Sequence, residues 1–150
     1  MKKEITQVAE ISISYRPAIA NKPIIKSPFD AYVALREFFS DDTIQLNEKF
    51  IVMFLNKANR VLGVFPVSVG GITSTIVDLR LILSIALKTL TTSIILCQNH
   101  PSGSLTPSRQ DIEMTQRIKE AAKYLDICVQ DHLIITFEHK YFSFADEGLI

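Results

Sequence analysis

The sequence is poor in the residues that mark unusual architectures. Its 150 residues include only 5 Gly, 6 Pro and 2 Cys, which excludes collagen-like, low-complexity and disulfide-stapled scaffolds. It also lacks a charge excess of either sign, with 16 Lys plus Arg against 16 Asp plus Glu. A chain without surplus cations has little to exchange for the counterions around a phosphate backbone, so strong nonspecific nucleic-acid binding is not expected. Long unbroken apolar runs are missing too. The most apolar stretch, Leu79 to Cys97, is interrupted by Arg80, Lys88 and Thr91-Thr92-Ser93, which argues against a membrane span. At the start, Glu4, Gln7 and Glu10 fall where a secretion signal needs an apolar core. Cys97 and Cys128 both sit inside apolar runs and read as small buried hydrophobes. A reducing, cytoplasmic setting is the expectation.

What is present is an ordinary globular composition, 47% hydrophobic and 21% charged. A chain of this length buries roughly 68–70% of its unfolded surface, enough for one domain spanning residues 1–150. Residues 1–26 read as an appended strand and loop. Val8 to Tyr15 alternates apolar and polar residues and predicts a strand, followed by a loop through Pro23. Ser27-Pro28-Phe29-Asp30 supplies an N-cap oxygen and a proline at the first helical position, predicting a helix from about Pro28 to Phe39. The runs FIVMFLN and VLGVFPVSV, separated by Lys57 to Arg60, predict a hairpin that breaks at Gly70-Gly71. From about Val77 good helix formers take over, apolar on most faces, so that helix must be buried by the core or by a partner. A short strand from Ser93 to Gln98 follows, then a Pro/Ser/Gly loop to Pro107. From Ser108 a helix should bury Met114, Ile118, Ala121 and Leu125. Ile127 to Thr136 and Tyr141 to Phe144 read as strands around a turn at His139-Lys140. The order β-α-β-β-α-β-α-β-β predicts an α/β sandwich, a mixed β-sheet flanked by helices.

Polar chemistry is concentrated between Gln98 and Asp111, where an apolar strand gives way to a helix. Such junctions are where sites form in α/β folds. On a strand alternate side chains share a face, so Gln98 and His100 should project together while Asn99 points the opposite way. Asp111 follows Ser108 by three positions, placing both in the first turn of the helix, where the macrodipole keeps a carboxylate ionised. Ser-x-x-Asp is also a plain helix-start signature. The coincidence of His100-Pro101, Ser108 and Asp111 at fixed spacing carries more weight than any one of them.

That spacing resembles the JAB/MPN metalloprotease pattern, His-x-His-Pro followed after six residues by Ser-x-x-Asp, with Gln98 at the first histidine position. Asn56-Lys57-Ala58-Asn59-Arg60, Gly70-Gly71-Ile72-Thr73, Asn99-His100-Pro101-Ser102-Gly103, Asp131-His132-Leu133-Ile134 and Ser143-Phe144-Ala145-Asp146-Glu147-Gly148 resemble the RadC branch of that superfamily, from Leu46 to Ile150. The resemblance implies an MPN, cytidine-deaminase-like α/β sandwich and a zinc-dependent peptidase or isopeptidase chemistry. It implies that His100 and Asp111 are metal ligands, with Gln98 in the third ligand place, that Glu48 is the base, and that Ser108 hydrogen-bonds the water or the developing oxyanion. The helical module that precedes this domain in full-length RadC proteins has no counterpart here, so a short stand-alone form is expected.

A neutral amide oxygen is a far weaker zinc donor than an imidazole, so zinc is expected to be weak or absent and hydrolysis impaired. Cys97 cannot substitute, since on a regular strand it faces away from His100. His132, on a strand, is expected to be a structural hydrogen-bonding residue, and His139 to be exposed. The His-x-Glu and Pro-Cys-x-x-Cys motifs of zinc deaminases do not occur. Two further functions stand beside the hydrolase: a non-catalytic interaction or homodimerisation module built on the apolar helix, and a DNA-repair association suggested by the family's label. The implied partners are a peptide or protein substrate and a second copy of the chain, without a membrane.

Overall fold

Every side chain from Phe50 to Leu55 is buried, so the strand that carries them must be covered on both faces. This strand, β1 (Lys49–Leu55), is rich in the branched and aromatic residues that suit a pleated surface. Its side chains alternate between two apolar clusters. Ile51, Met53 and Leu55 join one, while Phe50, Val52 and Phe54 join the other. The computed structural model describes residues 8–17, 21–70 and 76–150.

Around β1 the chain builds a five-stranded sheet in the order β2-β1-β3-β4-β5. β2 (Val61–Val69) and β3 (Ser93–Asn99) flank β1 and run antiparallel to it. β4 (Cys128–Ile135) lies parallel to β3, and β5 (Tyr141–Ser143) closes the edge antiparallel to β4. Helix α1 (Pro28–Arg36) covers the face of Ile51, Met53, Ile95, Cys97 and Leu133, contributing Ala31, Tyr32 and Leu35. Helices α2 (Leu79–Lys88) and α3 (Arg109–Lys123) cover the other face, through Ile82 and Ala86 and through Ile118 and Ala122. The result is the expected α/β sandwich with a mixed sheet. Parallel strands cannot be joined by a tight turn, so α3 serves as the crossover from β3 to β4. The end of β3 and the start of α3 thereby meet on one side of the sheet. Among the described residues no helix is long and apolar enough to cross a membrane.

Several local expectations need correction. Val8 to Tyr15 is not a strand: Val8, Ile11 and Ile13 are exposed, and the segment touches the sheet through Tyr15, whose hydroxyl donates to the Leu62 carbonyl at 2.6 Å. A strand needs a partner edge, and the edge beside Arg60 and Val61 is taken by Pro23 to Ile25, with N to O distances of 2.9 Å in both directions. α1 is capped at Ser27 as expected but ends at Arg36. Phe38 and Phe39 donate instead to Leu35 and Arg36 in tighter turns. The buried stripe of α3 is Asp111, Thr115, Ile118 and Ala122, one step round from the expected one. Met114 and Ala121 flank it half-buried, and Leu125 lies past the helix and is exposed. Cys97 is buried but Cys128 is exposed: its neighbours Ile127 and Val129 point into the core, so alternation turns Cys128 outward. Gly71, Ile72 and Thr73 of the Gly-Gly motif lie outside the described residues.

Candidate functional site

Strand alternation decides the site. Along β3, Ile94, Leu96 and Gln98 face α2 and α3, and Ile95, Cys97 and Asn99 face α1. Gln98 therefore arrives, fully buried, beneath the first turn of α3. His100 lies one residue beyond the strand, in a turn closed by the Gly103 N–H to the His100 carbonyl at 3.0 Å. Gly103 has φ +83°, and a Cβ there would stand 2.9 Å from Phe137 Cε1, so only glycine fits this turn. The His100 Nδ1 is 2.8 Å from the Ser104 carbonyl. A carbonyl only accepts, so Nδ1 carries the hydrogen and the Nε2 lone pair of the neutral ring points into the site.

Asp111 comes from the other side, held by a capping box. Ser108 Oγ accepts the Asp111 N–H at 3.0 Å, and Asp111 Oδ2 accepts the Ser108 N–H at 2.7 Å. The helix-start reading of Ser-x-x-Asp is thus correct, and the same bonds aim the remaining carboxylate oxygen at β3. Gln98 Nε2 donates to Asp111 Oδ1 at 2.9 Å and lies 3.0 Å from His100 Nε2. His100 Nε2 and Asp111 Oδ2 are 3.3 Å apart. The sequence-predicted trio does converge. Burial works to raise the Asp111 pKa, but the adjacent His100 ring, the Ser108 amide and Gln98 hold it well below the usual carboxylate range. Burial depresses His100, yet the bond to Asp111 that its ring makes once Nε2 is protonated, the Ser104 carbonyl and the charges of Asp111 and Glu48 leave its pKa raised; the Nε2 lone pair belongs to the neutral ring, at pH above that value.

His100 and Asp111 open onto a cleft of about 600 Å³ that Glu48 and Ser108 also line, with Val77, Met114 and Arg117 on its walls, while Gln98 stays fully buried. Glu48 is placed by Asn99, a residue whose importance the sequence did not reveal. On the α1 face, Asn99 Nδ2 donates to the carbonyls of Ile44 and Asn47 at 2.7 and 2.9 Å, and its Oδ1 accepts the Lys49 N–H at 2.7 Å. Adjacent residues of one strand therefore serve two different parts of the cleft lining: Gln98 meets Asp111, and Asn99 pins the segment that carries Glu48.

A second unanticipated residue, Thr115, fixes α3 over β4. Its Oγ1 donates to the Asp111 carbonyl at 2.6 Å and lies 2.7 Å from His132 Nδ1. The hydroxyl has one proton, already given to the carbonyl, so His132 Nδ1 must be the donor. His132 Nε2 is left as a buried acceptor without a hydrogen-bond partner among the described residues. The ring stacks on Phe144 with centroids 4.5 Å apart, and burial pushes its pKa down to about 3. His132 is thus the structural residue expected, and His139 is exposed as expected.

Catalytic zinc takes three protein lone pairs and leaves one position for water. Here the Gln98 NH2 group lies between the two strong donors. Reversing the amide would set Oε1 2.9 Å from a carboxylate oxygen, acceptor against acceptor, so nitrogen belongs at that position. The lone pairs of Asp111 Oδ1 and His100 Nε2 are then directed at hydrogens of Gln98, while Gln98 Oε1 is buried and unpartnered among the described residues. This donor set does not fit a resident zinc ion.

A family model for the RadC-like JAB domain matches residues 25–149. A UPF0758 protein of Flavobacterium johnsoniae is 50% identical over 103 residues, 69% of this chain and 44% of that protein. UPF0758 proteins of Porphyromonas gingivalis and Syntrophomonas wolfei are 39% and 38% identical over 99% and 100% of this chain, each covered to 65% of its own length. The chain thus spans between 44% and 65% of the length of these curated relatives.

Proposed function

Since this chain belongs to the RadC-like JAB domain family, we propose that it is a metallopeptidase-type domain whose zinc-dependent hydrolysis is impaired and whose cleft still receives a peptide or protein segment. The observation that carries this reading is the Gln98 nitrogen between His100 and Asp111. Zinc binding would have to displace that NH2 from both partners and would recover only an amide oxygen as third ligand, so the site's affinity for zinc is weak.

The remaining parts of the cleft keep chemistry that suits an amide-bearing ligand. Ser108 Oγ accepts the Asp111 N–H, and its hydroxyl lines the cleft, where it can turn from the Asp111 carboxylate to donate to a ligand carbonyl oxygen. Glu48, which lines the same cleft, supplies a carboxylate of the kind that accepts a proton or a ligand N–H. Val77 and Met114 provide apolar wall for a side chain. A cytoplasmic location fits this reading, and a DNA-repair role finds no support in the charge balance.

The test is zinc quantified after metal-free purification and back-titration, with peptide hydrolysis followed in parallel. Wild type should hold well under one equivalent and cleave slowly or not at all, whereas Gln98→His should bind zinc at least ~10–100-fold more tightly, the range of even a second-shell change. One tightly held equivalent in wild type would contradict the reading. A second reading, an interaction module that pairs two copies, is favoured by α2 and its end, where Leu87 and Leu90 are 53% and 83% exposed. Sedimentation across a concentration series would detect the pairing.

A further inference from the structure

We propose that the Gln98 carboxamide is a built-in substitute for a cation: its NH2 group donates to Asp111 Oδ1 and His100 Nε2 at once and so ties β3 to α3 without an ion. This rests on the reading of the site as one that does not hold zinc, and it goes further by giving the amide a positive role.

A carboxylate and an imidazole lone pair that converge in a buried place need positive charge between them, and a metal ion is one way to provide it. The two hydrogens of a primary amide provide another, because they diverge from one nitrogen and can satisfy two acceptors. Both distances, 2.9 and 3.0 Å, lie within the normal range for such bonds. The other ends of both acceptor groups are already fixed, His100 Nδ1 on the Ser104 carbonyl and Asp111 Oδ2 on the Ser108 N–H. Only the two atoms facing Gln98 call for a donor, and Gln98 meets both. The cost is visible in the same side chain, whose Oε1 is buried without a partner among the described residues. Such an acceptor is tolerated when the opposite end of the group makes stronger bonds, and a bond to a carboxylate is of that kind.

Gln98 is thus a positioning residue. It holds Asp111 and His100 in place, and with them the first turn of α3 and the Ser108 hydroxyl at the cleft.

The direct test is nuclear magnetic resonance on uniformly ¹⁵N-labelled, metal-free wild type. A scalar coupling across the hydrogen bond between Gln98 Nε2 and His100 Nε2, with slowly exchanging Gln98 side-chain protons, is expected; Gln98 protons that exchange at the solvent rate with no coupling would overturn the proposal. In a second arm, Gln98→Met keeps the length and removes both donors. Its melting temperature should fall by roughly 2–4 °C, and the His100 ring ¹⁵N signals should move, while chelator leaves wild type unchanged. An unchanged melting point and unchanged ring signals in Gln98→Met would overturn the substitute role even if wild type binds no zinc. Stoichiometric zinc in wild type would instead overturn the underlying reading.

Discussion

Lowering the pH should unfold this protein partly through His132, and the size of the effect follows from its surroundings. The ring is fully buried between Phe144 and Phe50, with its pKa pushed from 6.5 to about 3. A folded-state value below the unfolded one means stability that is present above about pH 6.5 and lost as the pH falls toward 3. At about pH 5 the unfolded chain binds a proton that the fold refuses, which costs about 2 kcal/mol. His100 and Asp131 have raised values, so they act with the opposite sign. Both persist in His132→Leu, which keeps the backbone N–H that donates to Asp131, so the comparison cancels them. Urea denaturation of wild type and His132→Leu at about pH 7.5 and about pH 5 reads the difference. Wild type should lose about 2 kcal/mol more than the variant across that interval. Equal losses would refute the buried neutral ring.

The other expectations concern the two sides of the cleft. Asn99→Leu removes the bonds to Ile44, Asn47 and Lys49 at about 1 kcal/mol each; the measurement is denaturant stability, with faster amide exchange expected at residues 44–49. Ser108→Ala removes the acceptor for the Asp111 N–H and should cost about 1 kcal/mol in thermal denaturation. A cost near zero would mean that the capping box adds nothing to α3.

Much of the architecture was legible because the sheet is buried on both faces. The runs that became β1, β2, β3 and β4 are dense in β-branched and aromatic residues, and Ser27-Pro28 and Ser108 announce their helices through caps that need no tertiary information. The alternation that sends Gln98 and Asn99 to opposite faces was equally readable. Partners distant in sequence were not. Nothing near Asn99 points to Ile44, and nothing in α3 shows that Thr115 rather than Met114 turns inward, because the polar start of that helix packs over His132 instead of over aliphatic side chains. Val8 to Tyr15 misled for a related reason: alternation describes a strand's faces but supplies no edge to pair with. At Gln98 the sequence revealed a missing imidazole, and only the folded structure reveals what the amide nitrogen does in its place.

Whether the Gln98 amide or a zinc ion lies between His100 and Asp111 is decided by a crystal of the protein grown with excess zinc and measured at the zinc absorption edge. No anomalous peak is expected between His100 and Asp111, with the Gln98 nitrogen within hydrogen-bonding distance of both. A strong peak at that position, with Gln98 turned aside or bound to the ion through oxygen, would contradict that expectation.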